Sequence, residues 1–309
     1  MRIRYSECCP NTEIRSLTTL FLCGPTASGK SSAALALARV CQGEIVNADA
    51  FQLYRGLETL TAAPTEEERA QIPHHLYSVV DPAKSLDAGS YRELALPVLA
   101  DIAARGKRPL VVGGSGLYLK FLTHGPSDLP AADATLRAEL EGLSLEELNL
   151  RLEELDPVEA RRIDRHNPRY LQRALEICIL TGRPVSAQRA SFASEPDDLQ
   201  GLLLTWERAE LEERIRHRTR RMLAGGAIEE VAALPEMGAT AEKAIGVAEI
   251  RSHLAGEIDR AACEERIVIA TRQYARRQGT WFRREKWLTP VPGSSSVEEL
   301  LRVTGNITP

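Results

Sequence analysis

Residues Gly24-Pro25-Thr26-Ala27-Ser28-Gly29-Lys30-Ser31 spell G-x-x-x-x-G-K-S, a loop whose backbone amides turn inward around phosphate oxygens. The apolar run Thr18–Cys23 before it reads as a buried strand. The alanine- and leucine-rich stretch Ser32–Val40 after it reads as a helix. Glycine permits the tight turn, and the helix start adds partial positive charge. Lys30 supplies a full charge, and Ser31 can offer its hydroxyl to Mg2+. A glycine turn with a merely solvated lysine is the alternative, and the strand–loop–helix context argues against it.

Further short apolar runs, Glu44–Asn47, Leu76–Val80, Pro109–Gly113 and Gly201–Trp206, read as buried strands. Helical patterns such as Ser90–Arg105 lie between them. That alternation predicts a parallel sheet covered on both faces, with ligands at the carboxyl ends of the strands. From Pro130 to Pro196 the strand signal disappears. Leu136–Leu143, Ser144–Leu155, Pro157–Ile163 and Asn167–Thr181 all read as helices. Ser144 with Glu147 suggests a capping box, and Gly182 a helix stop. Long helices follow at Glu207–Leu234 and Arg260–Arg284. The expected fold is α/β, a P-loop NTPase-like parallel sheet flanked by helices, with an all-helical insertion domain. Its plan is an N-terminal extension (1–17), a discontinuous core (18–129 and 200–289), the insertion (130–199) and a tail (290–309).

With 309 residues, 43% of them hydrophobic, the chain can bury a sizeable core. It has no apolar run of the ~20 residues that span a membrane, and its start does not resemble a secretion signal. Six cysteines without metal-type spacing read as thiols in a reducing cytoplasm. The net charge of −4 does not advertise nucleic acid. Arginines nevertheless concentrate in 208–221 and 272–286, so a basic groove is compatible with the total.

Asp49 ends the second strand, where a carboxylate can bind a Mg2+ water or accept a proton. Helix capping is its plainer role. Gly113-Gly114-Ser115-Gly116 also follows a strand, and its glycines would allow close ligand approach or simply a turn. Arg214, Arg218 and Arg221 share one helix face, as a phosphate clamp or as a solvated surface. Thr271–Arg283 mixes cations with aromatics, suited to phosphates and stacked bases. A basic surface helix with its aromatic end in the core fits the same pattern.

Together these segments resemble the tRNA dimethylallyltransferase (isopentenyltransferase) family, over roughly Leu20 to Leu288. The most specific parts are Gly24–Ser31, Asp49 with Gln52 and Tyr54, and Thr271–Arg283. Weaker anchors are Val112–Ser115 with Tyr118, Arg173–Glu176 and Ala244–Gly246. The resemblance implies transfer of a dimethylallyl group from dimethylallyl diphosphate to N6 of adenine 37, beside the tRNA anticodon. The loop Gly24, Pro25, Thr26, Ala27, Ser28, Gly29, Lys30 and Ser31 would hold the diphosphate or a nucleotide such as ATP, with Mg2+ on Ser31. Asp49 would accept the amine proton, and Thr26 and Arg218 would contact the diphosphate. Asp49, Ala50, Phe51, Gln52, Ser115, Arg137, Arg169, Gln172, Arg173, Arg272, Arg276 and Arg277 would meet the tRNA. A bacterial-type, cytoplasmic enzyme acting as a monomer, without a membrane partner, is implied. The chain departs from the family pattern at Ala50, at Leu60 and Ala63, at Tyr170 and at Val247. Alternatives are an adenylate isopentenyltransferase, a small-molecule kinase, or a non-catalytic tRNA-binding relative. The basic helical segments disfavour the first two, and the retained Thr26, Lys30, Ser31 and Asp49 disfavour the last.

Overall fold

The computed structural model describes residues 19–125, 130, 133–188, 199–234 and 236–304. The expected N-terminal extension 1–17 lies outside them. The core is a six-stranded sheet, all parallel, in the order β3-β2-β4-β1-β5-β6. Its strands are β1 (Leu20–Cys23), β2 (Gly43–Asn47), β3 (His74–His75), β4 (Arg108–Gly113), β5 (Gln200–Thr205) and β6 (Leu288–Pro292). Side chains alternate across each strand. Phe21, Val46, Val111 and Leu203 feed one apolar layer. Leu20, Leu22, Ile45, Leu110 and Leu202 feed the other. Burial on both faces is why the central strands read as continuous apolar runs.

Helices cover these layers: α1 (Lys30–Val40), α2 (Ala88–Ala104) and α3 (Gly116–His124). In the second half come α8 (Arg208–Ala224), α9 (Ala227–Ala233), α10 (Val247–Leu254), α11 (Arg260–Phe282) and α12 (Val297–Val303). The chain divides into two compact units, Pro126–Glu195 and the remainder. The smaller unit holds α4 (Ala134–Glu141), α5 (Leu145–Leu155), α6 (Pro157–Arg162) and α7 (Pro168–Thr181). These helices enclose their own core of Leu140, Leu148, Leu152, Leu171, Leu175 and Val185. The Ser144–Glu147 capping box forms, and Gly182 caps α7 at φ +63°.

Three expectations need correction. Leu76–Val80 is not a strand: Leu76 and Ser78 take positive φ, 61° and 53°, so the β3 ladder stops after His75 and Val80 makes only an isolated bridge to Tyr54. The stretch Glu207–Leu234 is two helices, because Gly225-Gly226 breaks it with Gly226 at φ +105°. Residues 290–292, assigned above to a tail, finish β6. Pro290 and Pro292 hide that strand in the sequence, but an edge strand tolerates a missing backbone donor. Among the described residues β6 pairs only with β5, from Gly201↔Leu288 to Thr205↔Pro292.

Candidate active site

The loop Gly24–Ser31 runs from β1 into α1 and is held from outside. Trp206 donates its indole N–H to the Ser28 carbonyl at 2.8 Å. Arg214, stacked 4.2 Å over the Trp206 ring, donates to the Ala27 carbonyl at 2.8 Å. These bonds secure Ala27 at φ +64°, a conformation that costs a residue with a Cβ. Gly29 follows at φ +88°. Lys30 donates to the Pro25 carbonyl at 2.8 Å. Its ammonium is lowered to about 8, chiefly by loss of water; Asp49 opposes that shift and Arg218 adds to it.

Asp49 leaves β2 on a scaffold built by Asn47. The Asn47 Oδ1 accepts the Asp49 N–H at 2.8 Å, and Nδ2 donates to the Leu76 carbonyl at 2.9 Å. The Phe51 N–H donates to Asp49 Oδ1 at 3.0 Å. The helix-capping role read from the sequence is not what forms: no helix follows Asp49 directly, and this bond closes an Asx-type turn with one oxygen. Among the described residues no group donates to the other. Asp49 lines a cleft with Thr26, Phe51, Thr61, Arg218, Thr271 and Tyr274, beside apolar Leu60, Met222, Ile245 and Ile267.

Arg218 closes that cleft, donating to Thr26 Oγ1 at 2.9 Å and to the Thr61 carbonyl at 2.8 Å. Burial lowers its pKa, and Asp49 and Tyr274 resist. Tyr274 stands 6.2 Å from the Phe51 ring. Its hydroxyl is pushed up, first by burial and then by the Asp49 charge. One carboxylate thus faces a lysine, an arginine and a phosphate-type loop across an amphipathic space. Such a space suits a substrate with an anionic end and a short apolar end.

A scan against family models matches the IPP transferase family over residues 52–285. The tRNA dimethylallyltransferase of Akkermansia muciniphila is 46% identical over 278 residues, covering 90% of this chain and 94% of that protein. That of Geobacter metallireducens is 47% identical, covering 90% and 93%. The chain belongs to the IPP transferase family. Among solved structures, the tRNA isopentenylpyrophosphate transferase of Bacillus halodurans superposes with a TM-score of 0.66 at 32% identity, covering 93% of this chain and 94% of that one. A eukaryotic dimethylallyltransferase acting on tRNA gives a TM-score of 0.75 at 26% identity, covering 92% and 77%.

The remaining sequence candidates separate in the structure. Ser115 sits beside the base segment: its Oγ accepts the Ala50 N–H at 2.8 Å. Its flanking glycines are each required by packing. A Cβ at Gly113 would lie 2.1 Å from the Ala48 carbonyl oxygen, one at Gly114 2.3 Å from Gln278, and one at Gly116 2.4 Å from the Trp281 ring. Gln52 faces the protein, donating to the carbonyls of Thr61 and Ala62 at 3.1 and 2.9 Å. Ser31 is exposed in the first turn of α1, and Arg221 is exposed beyond Arg218. Arg272 and Arg276 lie on the side of α11 away from Tyr274. There they line an apolar-floored groove of about 730 Å³ with Leu211, Ile215 and Phe282. Arg272 pairs with Glu212 at 2.9 Å, and Arg277 lies 5.7 Å over the Tyr274 ring.

In the helical unit, Arg137 and Arg173 both pair with Glu176, which is fully buried, at 3.2 and 2.5 Å. Gln172 reaches the Leu140 carbonyl at 3.5 Å, and Arg169 and Tyr170 are exposed. Val247 is fully buried. Sequence reasoning missed Asn47, Trp206 and Gln278. Only Gln278 carried a signal, as a polar residue on the core face of a helix with Thr271 and Ala275.

Proposed function

We propose that the chain transfers a dimethylallyl group from dimethylallyl diphosphate to N6 of adenine 37 in tRNA, giving N6-(dimethylallyl)adenosine and diphosphate. The observation that carries this reading is the convergence of Asp49, Arg218 and the Lys30 loop on one cleft with an apolar wall. The N6 lone pair forms a bond to C1 of the allylic group as the C1–O bond breaks, and the electron pair leaves with diphosphate. Lys30, Arg218 and the loop amides absorb that charge. Asp49 takes the proton from N6 through the oxygen that no described group occupies. An exocyclic amine is a weak nucleophile, so placement counts heavily.

Mg2+ fits this donor set. Among the described residues no group of three or more His, Cys, Asp or Glu forms a metal cage, and Mg2+ prefers a few protein oxygens together with substrate phosphates. Bound there through Ser31, it would neutralise diphosphate charge. The helical unit, through Arg169, Gln172 and the outer faces of Arg137 and Arg173, would grip the anticodon stem-loop. Arg272, Arg276 and Arg277 would contact its phosphates. The same reading makes the enzyme a monomer working in the cytoplasm. No described helix is long and apolar enough to cross a membrane.

Purified protein incubated with dimethylallyl diphosphate, Mg2+ and tRNA lacking the modification should yield N6-(dimethylallyl)adenosine on nucleoside mass spectrometry. Product from AMP but not from tRNA, or no product from either, would overturn the proposal.

A further inference from the structure

Helix α11 carries into the core one polar side chain that the chemistry above does not use. Gln278 is 5% exposed, and both ends of its amide are engaged. Its Oε1 accepts the Thr26 N–H at 2.8 Å, and its Nε2 donates to the Gly114 carbonyl at 2.9 Å. One partner is a donor and the other an acceptor, so the amide has a single orientation. A buried polar network satisfied in this way is rigid.

Its two partners belong to the two halves of the site. Thr26 sits in the phosphate loop, with its hydroxyl fixed by Arg218. Gly114 precedes Ser115, which holds the Ala50 N–H beside Asp49. A continuous run of hydrogen bonds and adjoining residues thus joins Arg218, Thr26, Gln278, Gly114, Ser115 and the Asp49 segment. Gly114 itself is shaped to the amide, since a Cβ there would reach within 2.3 Å of Gln278 Nε2.

We infer that Gln278 is a positioning residue that sets the span between the phosphate loop at Thr26 and the carboxylate segment at Asp49. The span keeps the allylic carbon of the bound diphosphate in line with the amine that Asp49 deprotonates. Gln278 touches neither reacting atom. The inference rests on the transfer reaction proposed above. An error of an ångström in such a span is enough to cost on the order of 100-fold in rate.

The test uses Gln278→Met, which keeps the volume and removes both hydrogen bonds, and Gly114→Ala, which displaces the amide from the opposite side. Each should lower kcat roughly 10- to 100-fold and raise KM for dimethylallyl diphosphate by a smaller factor, while the Kd for tRNA stays at the wild-type value. Hydrogen exchange at the Thr26 amide should accelerate in both. The double variant should be no slower than the worse single one. If wild-type protein makes no product from tRNA, the transfer reaction itself has failed. If wild type is active and both variants keep its kcat, this inference alone is overturned. It is equally overturned if every loss of kcat is matched by a loss of thermal stability and of tRNA binding, because the role is then only structural.

Discussion

Arg218 holds the Thr26 hydroxyl at 2.9 Å with one guanidinium nitrogen and the Thr61 carbonyl at 2.8 Å with the other. One turn earlier on α8, Arg214 holds the Ala27 carbonyl. A single helix therefore fixes the phosphate loop at two successive residues and delivers one of its cations. Arg218→Ala should lower kcat/KM for dimethylallyl diphosphate by about 100- to 1,000-fold. Arg218→Lys should recover little, because an ammonium cannot span both acceptors. Steady-state kinetics on both variants check this.

Asp49 uses one oxygen for the Phe51 N–H. Asp49→Asn keeps an acceptor for that bond and removes the proton-accepting carboxylate. We expect kcat to fall about 100- to 10,000-fold with tRNA affinity within twofold of wild type (roughly 0.4 kcal/mol). Filter binding and single-turnover rates separate the two quantities.

Lys30, lowered to about 8 by burial, sets a pH dependence. Anion binding needs the charged form, so affinity for inorganic diphosphate should weaken as pH rises through about 8, with proton uptake on binding near that pH. Lys30→Arg should flatten the profile. Folding has the opposite sign. Between about 8 and 10.5 the unfolded chain binds the proton more tightly than the folded one, so this group makes stability increase with pH across that window. Calorimetric titration of diphosphate from about pH 7 to about pH 9.5 checks the binding half.

Glu176 is buried in the helical unit, and burial alone would raise its carboxyl. Arg173, the Asp133 N–H and Arg137 outweigh that and lower it. Its stabilising contribution is therefore full above the ordinary carboxylate range and lost as pH falls through the lowered folded value. Glu176→Gln removes the buried charge and leaves two partly exposed guanidiniums without their carboxylate, and should cost about 1 to 2 kcal/mol in urea unfolding monitored in the helical unit. Changing Arg137 or Arg173 should likewise lower stability together with tRNA affinity, whereas exposed Arg169 should affect affinity alone.

Arg276 faces the groove on one side of α11, and Arg277 lies over Tyr274. If both meet RNA phosphates, replacing the pair with alanine should reduce the slope of log K against log salt by about 1.8, near 0.9 for each phosphate that is no longer neutralised. Titrations at several salt concentrations give that slope, and a wild-type slope would remove these residues from the interface.

The sequence determined what is local or periodic. The phosphate loop was legible because a strand, eight residues and a helix N-terminus are contiguous. The central strands were legible because double burial makes them continuously apolar, and α5 was legible because Ser144 and Glu147 cap it three residues apart. Tertiary structure decided whatever depends on partners far along the chain. β6 is a strand despite its prolines because β5 offers it an edge. Leu76–Val80 bends away from the sheet where Leu76 and Ser78 take positive φ, and its Leu76 carbonyl accepts from Asn47 beneath Asp49. The glycines around Ser115 answer to Ala48, Gln278 and Trp281, which lie far along the chain or on other elements. Arg272 and Tyr274, two residues apart, face different cavities because a helix turns about 100° per residue. Nothing in the local sequence could pair Thr26 with Gln278 across 252 positions, since only packing α11 against the loop brings that donor and acceptor together.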